Sequence, residues 1–126
     1  MREAWIYAQK RARFDSYPAT QDILQMGYYI EREMNMHGFR RVNLHTGRFN
    51  ENLNRIGIDW PQVNRAITNL LQNGEDLTPE EWYKEFEEIH PFEDGNGRTG
   101  KILYNWLNGS LYDPVFPPDF FGHGVP

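Results

Sequence analysis

The chain is predicted to be all-α, a single-domain helical bundle over residues 1–126 with one short β-hairpin. Three observations predict it. Apolar residues recur at helical spacing in several separate segments. Helix-start signals precede those segments, and glycine or proline follows them. At 126 residues and 15% aromatics, the chain has enough bulky side chains for one core without staples.

The elements follow in order. Arg2 to Arg13 reads as a first helix of weak periodicity, which Ser16-Tyr17-Pro18 breaks. Pro18 suits the first turn of a second helix, where its missing N–H costs nothing. Ile23, Met26, Ile30 and Met34 form the stripe of that helix, and Gly38 is its expected stop. Phe39 to Asn50 has no clear period, and Thr46-Gly47 is expected to turn a short hairpin. Asp59, with Gln62 three residues on, is expected to cap a third helix whose face is Val63, Ala66, Ile67, Leu70 and Leu71. Asn73-Gly74 ends it.

Thr78-Pro79-Glu80-Glu81 is a capping box with proline at the first helical position. Trp82, Phe86 and Ile89 share the face that follows. His90 precedes Pro91, and a residue before proline is pushed out of helical geometry, so the helix stops there. A last helix buries Ile102, Leu103, Trp106 and Leu107 and closes at Asn108-Gly109. The tail from Ser110 to Pro126 holds four prolines and three phenylalanines, so it is expected to wrap over the helices irregularly. Phe116, Phe120 and Phe121 are expected to cover apolar surface there.

Bulk properties narrow the function. The formal charge is −5, from 13 Lys+Arg against 18 Asp+Glu, which disfavours a general grip on nucleic acid. There is no cysteine, which removes disulfides and thiolate metal sites. No apolar run approaches a membrane span, and the first residues are too polar for a secretory signal. A cytoplasmic domain with no membrane partner is expected.

Special chemistry concentrates between His90 and Lys101. Gly95 and Gly97 allow unusual backbone shapes and lead into a helix start. Such a start offers unpaired N–H groups and a positive dipole end, an anion site suited to phosphate. Asn96 adds an amide donor, and Arg98 and Lys101, three apart, are expected to direct charge to the same anion. Asp94 would be repelled by phosphate unless Mg²⁺ bridged the two. His90, beyond the loop, is placed to accept a proton from an attacking hydroxyl. Phe92 reads as a plug that anchors the loop in the core. These are parts of phosphoryl or nucleotidyl transfer, without a Walker loop.

Blander roles compete for each residue. A histidine at a helix end can simply favour the dipole, an aspartate is a common turn residue, and Arg98 and Lys101 can be a solvated face. The loop context outweighs these readings for His90 and Asp94; Lys101 keeps both. Trp82, Phe86 and Trp106 read as core, and Glu80, Glu81, Glu85, Glu87 and Glu88 as a solvated acidic face. His37, His45 and His123 lack ligand spacing, and Arg40-Arg41 reads as a plain surface pair.

The segment His90-Pro-Phe92-Glu-Asp94-Gly-Asn-Gly-Arg98-Thr-Gly-Lys101 closely resembles the Fic family signature HxFx(D/E)GNGRxxR, matching seven of its eight defined positions. The helix, loop and helix around it resemble a Fic core over about Pro18 to Leu107. The resemblance implies transfer of AMP from ATP, with Mg²⁺, to a Tyr, Thr or Ser hydroxyl of a target protein. It implies His90 as general base, Asp94 as Mg²⁺ ligand, and Gly95, Asn96 and Gly97 as the phosphate cradle. Arg98 would bind the phosphate tail. The family's target-aligning flap would fall at Arg41 to Arg48, centred on Val42, Asn43 and Leu44.

Two departures qualify the resemblance. Lys101 stands where the family has arginine, and keeps the charge without the planar fork. The family's inhibitory pattern, (S/T)xxxE(G/N), is absent; Glu51-Asn52 comes nearest, with Gly47 at the hydroxyl position. An inhibitory partner such as an antitoxin is then one expectation. Another Fic-type phosphoryl or nucleotidyl transfer, or a weakened nucleotide-binding module, remains an alternative.

Overall fold

The structure is a computed structural model that describes residues 1–46 and 54–120. It contains α1 (Arg2–Ala12), α2 (Thr20–Ile30), β1 (Leu44–Thr46), β2 (Asn54–Ile56), a 3₁₀ turn (Trp60–Gln62), α3 (Val63–Asn73), α4 (Pro79–Ile89) and α5 (Asn96–Asn108). Among the described residues the expected helical bundle with one short hairpin forms.

Helix α5 lies at the centre, packed against α1, α2 and α4, while α3 packs on α4 and α2. Ala4 and Ala8 are fully buried, so α1 meets its neighbours through small side chains. Ile23, Met26, Ile67, Phe86, Phe92, Ile102 and Leu103 are completely buried. Each such large side chain contributes roughly 1.5–3 kcal/mol by leaving water. Trp82 stacks on Phe86 with ring centroids 5.7 Å apart. The Trp82 indole N–H donates to the Tyr17 hydroxyl, which in turn donates to the Leu71 carbonyl at 2.8 Å. Polar bonds thus tie the α1–α2 connection to α3 and α4.

The box at α4 forms as expected. The Glu81 N–H donates to Thr78 Oγ1 at 3.1 Å, and the Thr78 N–H donates to Glu81 Oε1 at 3.0 Å.

Four boundaries differ from the sequence reading. Helix α2 begins at Thr20, with Pro18 before it, because the Asp22 carboxylate reaches back to the Ala19 N–H at 2.8 Å. Its stripe does not continue to Met34, which is 48% exposed. The helix stops at Ile30, Glu31 is extended, and Asn35 Nδ2 donates to the Gly27 carbonyl at 2.9 Å. Gly38 then sits in a later turn with φ 94° rather than at the helix end.

The hairpin pairs Leu44 with Ile56, His45 with Arg55 and Thr46 with Asn54, so its second strand lies beyond Asn50. Gly47, Arg48 and the Glu51-Asn52 pair lie outside the described residues. Asp59 makes no side-chain cap to Gln62. Instead Asp59 accepts from Asn43 Nδ2 at 2.9 Å, and Asn43 Oδ1 accepts the Trp60 N–H at 2.8 Å.

The tail also differs. Leu111 is buried and covers the core, whereas Phe116 and Phe120 are exposed. Asn105 holds the tail by pairing with both the N–H and the carbonyl of Val115. Phe121 and His123 lie outside the described residues. No helix among the described residues is long and apolar enough to cross a membrane.

Candidate functional site

Helix α4 ends on His90, whose backbone is left-handed at φ 52° and ψ 66°. It is the non-glycine residue with positive φ among the described residues. Such a conformation costs on the order of 1–3 kcal/mol and persists only where neighbours enforce it. The enforcement is visible. The His90 N–H still donates to the Phe86 carbonyl at 3.0 Å, and the next residue is Pro91. The turn lifts the chain out of α4 with the imidazole at its corner, partly buried.

The loop after His90 is fastened carbonyl by carbonyl. The His90 carbonyl accepts from Arg40 Nε at 2.7 Å, and the Pro91 carbonyl accepts from the Arg40 N–H at 2.9 Å. Phe92 plugs into the core, fully buried, with its ring 5.4 Å from that of Phe39. Asn96 closes the loop on both sides. Its Oδ1 accepts the Phe92 N–H and its Nδ2 donates to the Phe92 carbonyl, each at 2.8 Å. Asn35 Nδ2 donates to the Asp94 carbonyl at 2.9 Å.

The Asn96 amide is therefore spent within the loop rather than offered to an anion. What Asn96, Gly97 and Arg98 present are backbone N–H groups in the first turn of α5, where a helix supplies no partner of its own. Gly95, at φ 79°, makes the turn into that helix, and Ile30 leaves no room for a side chain there. Gly97 differs, since a Cβ on it would meet nothing within 4 Å. The start of α5 thus faces open space on the Gly97 side.

Asp94, Gly95, Asn96, Gly97 and Arg98 converge on this one helix start. Asp94 Oδ1 accepts the Gly95 N–H at 2.8 Å and lies 3.9 Å from Arg98 Nη2. Both side chains are about half exposed, so the pair itself stabilises little and both groups remain accessible. Lys101 does not join them. Its ammonium sits 4.1 Å from the ring centroid of Phe116 in the tail.

Among the described residues no group of three or more His, Cys, Asp or Glu could hold a metal ion. The exposed Asp94 carboxylate fits Mg²⁺ that arrives with polyphosphate, and does not make an all-protein metal centre.

The expected flap residues lie at the hairpin entry. Leu44 starts β1, Val42 is 45% exposed, and Asn43 is held by Asp59 and Trp60 as described. Sequence reasoning missed Arg40, Asn35 and Gly27, which hold the loop. Arg40 is no surface residue, being only 2% exposed. The signal in its case was absent, because its partners are backbone carbonyls, three of the four far along the chain.

Residues 81–107 match the model of the Fic/DOC family. A probable protein adenylyltransferase of Aquifex aeolicus is 41% identical over 58 residues. That alignment covers 40% of this chain and 18% of the relative, so the chain spans a small part of the relative's length. No solved structure matches significantly.

Proposed function

We propose that the chain is a transferase of the Fic/DOC type, a reading supported by the match of residues 81–107 to that family, and that it transfers AMP from ATP to a hydroxyl side chain of a protein target. The observation that carries the proposal is the left-handed His90, one pinned loop away from the open first turn of α5. The His90 imidazole takes the proton of a Tyr, Thr or Ser hydroxyl. The hydroxyl oxygen attacks the α-phosphorus, the bond to the bridging oxygen of the β-phosphate breaks, and pyrophosphate leaves. The N–H groups of Asn96, Gly97 and Arg98 and the Arg98 guanidinium bind the phosphate oxygens. Asp94 would hold Mg²⁺, and the ion would supply charge neutralisation for the phosphates. The edge from Val42 to Leu44 aligns the target segment.

The test is label transfer. Protein incubated with α-labelled ATP, Mg²⁺ and a lysate is expected to label protein, and His90→Ala to abolish that label. Label from γ-labelled ATP instead would assign phosphoryl transfer. The ammonium of Lys101 on Phe116 favours a second reading, a nucleotide-binding module weakened in catalysis. ATP binding without any transfer, unchanged by Lys101→Arg, is its signature. Control by an antitoxin-like partner belongs to the first reading; growth arrest on expression, relieved by His90→Ala, is its mark.

A further inference from the structure

Arg40 is a buried cation surrounded by carbonyl oxygens. Its Nε donates to the His90 carbonyl at 2.7 Å and its Nη1 to the Val42 carbonyl at 2.9 Å. Its Nη2 donates to the Ile58 carbonyl at 2.5 Å and the Ile89 carbonyl at 3.1 Å. Burying a cation costs several kcal/mol unless its surroundings compensate. Two of these oxygens end α4, where the helix dipole is negative, so the charge has a reason to be there.

The other two oxygens belong to the segments flanking the hairpin. Val42 precedes β1 and Ile58 follows β2. The packing on the exit side is flush. A Cβ on Gly57 would lie 2.8 Å from both Arg40 Nη2 and His90 Cβ. The Ile58 N–H also reaches the Ile89 carbonyl at 3.4 Å. One planar group therefore spans the histidine loop, the way into the hairpin and the way out of it.

We propose that Arg40 is a positioning residue that fixes the height and register of the target-docking hairpin relative to His90. The proposal rests on the adenylyl-transfer reading above. The first turn of α5 is fastened by Asn96 and Asn35, and Arg40 touches the loop only at its His90–Pro91 end, so nucleotide binding depends on Arg40 far less than the hairpin does. Lysine keeps the charge but offers three donors from one point in place of a planar fork. It cannot reach all four oxygens in these directions.

The test uses Arg40→Lys, with Arg40→Met as the more severe variant, in the full chain. Hydrogen exchange is read at the described hairpin amides, residues 44–46 and 54–58, and calorimetry reads Mg·ATP binding. Transfer is read as kcat and KM for the protein target. For Arg40→Lys the expected result is lost protection in the hairpin and ATP affinity within twofold of wild type. Transfer to the target is expected to fall about 100-fold, the cost of a misplacement near 1 Å. A parallel loss of ATP binding and transfer would overturn the proposal, since it would mean general loosening of the fold. Unchanged hairpin protection, or wild-type transfer despite lost protection, would overturn it equally. Should the wild-type protein transfer no label at all, the functional reading falls, while hairpin exchange still decides whether Arg40 sets the hairpin.

Discussion

Gly27 on α2 and Phe92 in the loop touch so closely that a methyl group on Gly27 would lie 2.3 Å from the Phe92 ring. The ring is fully buried and cannot move without displacing the loop. Gly27→Ala is therefore expected to cost about 1–3 kcal/mol, the range for overpacking a tight core. Chemical denaturation measures this. ATP affinity is expected to fall with it, because Phe92 anchors the backbone that leads into α5.

Asn96 provides a second check on the same loop. Asn96→Ala leaves the buried N–H and carbonyl of Phe92 without their partners, and is expected to destabilise by about 2–3 kcal/mol. Asn96→Asp keeps one acceptor and is expected to fall between the two. If the amide instead contacted phosphate and left Phe92 alone, ATP affinity would drop with no change in melting temperature.

The reach of the sequence can be judged at these positions. Trp82, Phe86 and Ile89, and Ile102, Leu103 and Trp106, were legible because burial at helical spacing is a local signal. The capping box at Thr78 was legible for the same reason. The end of α2 was not, since the apolar spacing runs on to Met34 while the helix stops where Asn35 turns to bond Gly27 and Asp94. Asn96 was expected to donate to an anion, and no local pattern reveals that Phe92 occupies its amide. Arg40 looked like half of a surface pair because backbone carbonyls leave no mark in a sequence.

The junction of α1 and α2 predicts a pH effect. Burial pushes the Asp22 carboxyl up. The Arg11 guanidinium, the Ala19 N–H and the Tyr7 hydroxyl outweigh that and hold it below its ordinary value. A carboxyl with a depressed folded value stabilises fully above the ordinary range. It loses that contribution as pH falls through the depressed value. Wild type is expected to lose melting temperature as pH falls below about 4, with Asp22→Asn lower at neutral pH and the gap narrowing in acid. Melting curves across pH measure it. The Tyr7 hydroxyl, donating to Asp22, is pushed up to about 12 by burial and by that carboxylate.

Lys101 and Phe116 predict a coupling. A cation over an aromatic face at a half-exposed site is worth about 0.5–1 kcal/mol. A double-mutant cycle of Lys101→Ala and Phe116→Ala is expected to return that coupling in stability. Phe116→Ala alone releases the ammonium and is expected to tighten ATP binding roughly two- to fivefold, the same energy expressed as affinity. Calorimetry reads it; unchanged affinity would remove Lys101 from the phosphate site.

The central claim is tested most directly by a crystal structure with Mg²⁺ and a non-hydrolysable ATP analogue. The expected result is phosphate oxygens within hydrogen-bond distance of the N–H groups of Gly97 and Arg98. Mg²⁺ is expected between those phosphates and Asp94, and the α-phosphorus on the side facing His90. A nucleotide bound elsewhere on the bundle, with the first turn of α5 contacting only solvent, would contradict it.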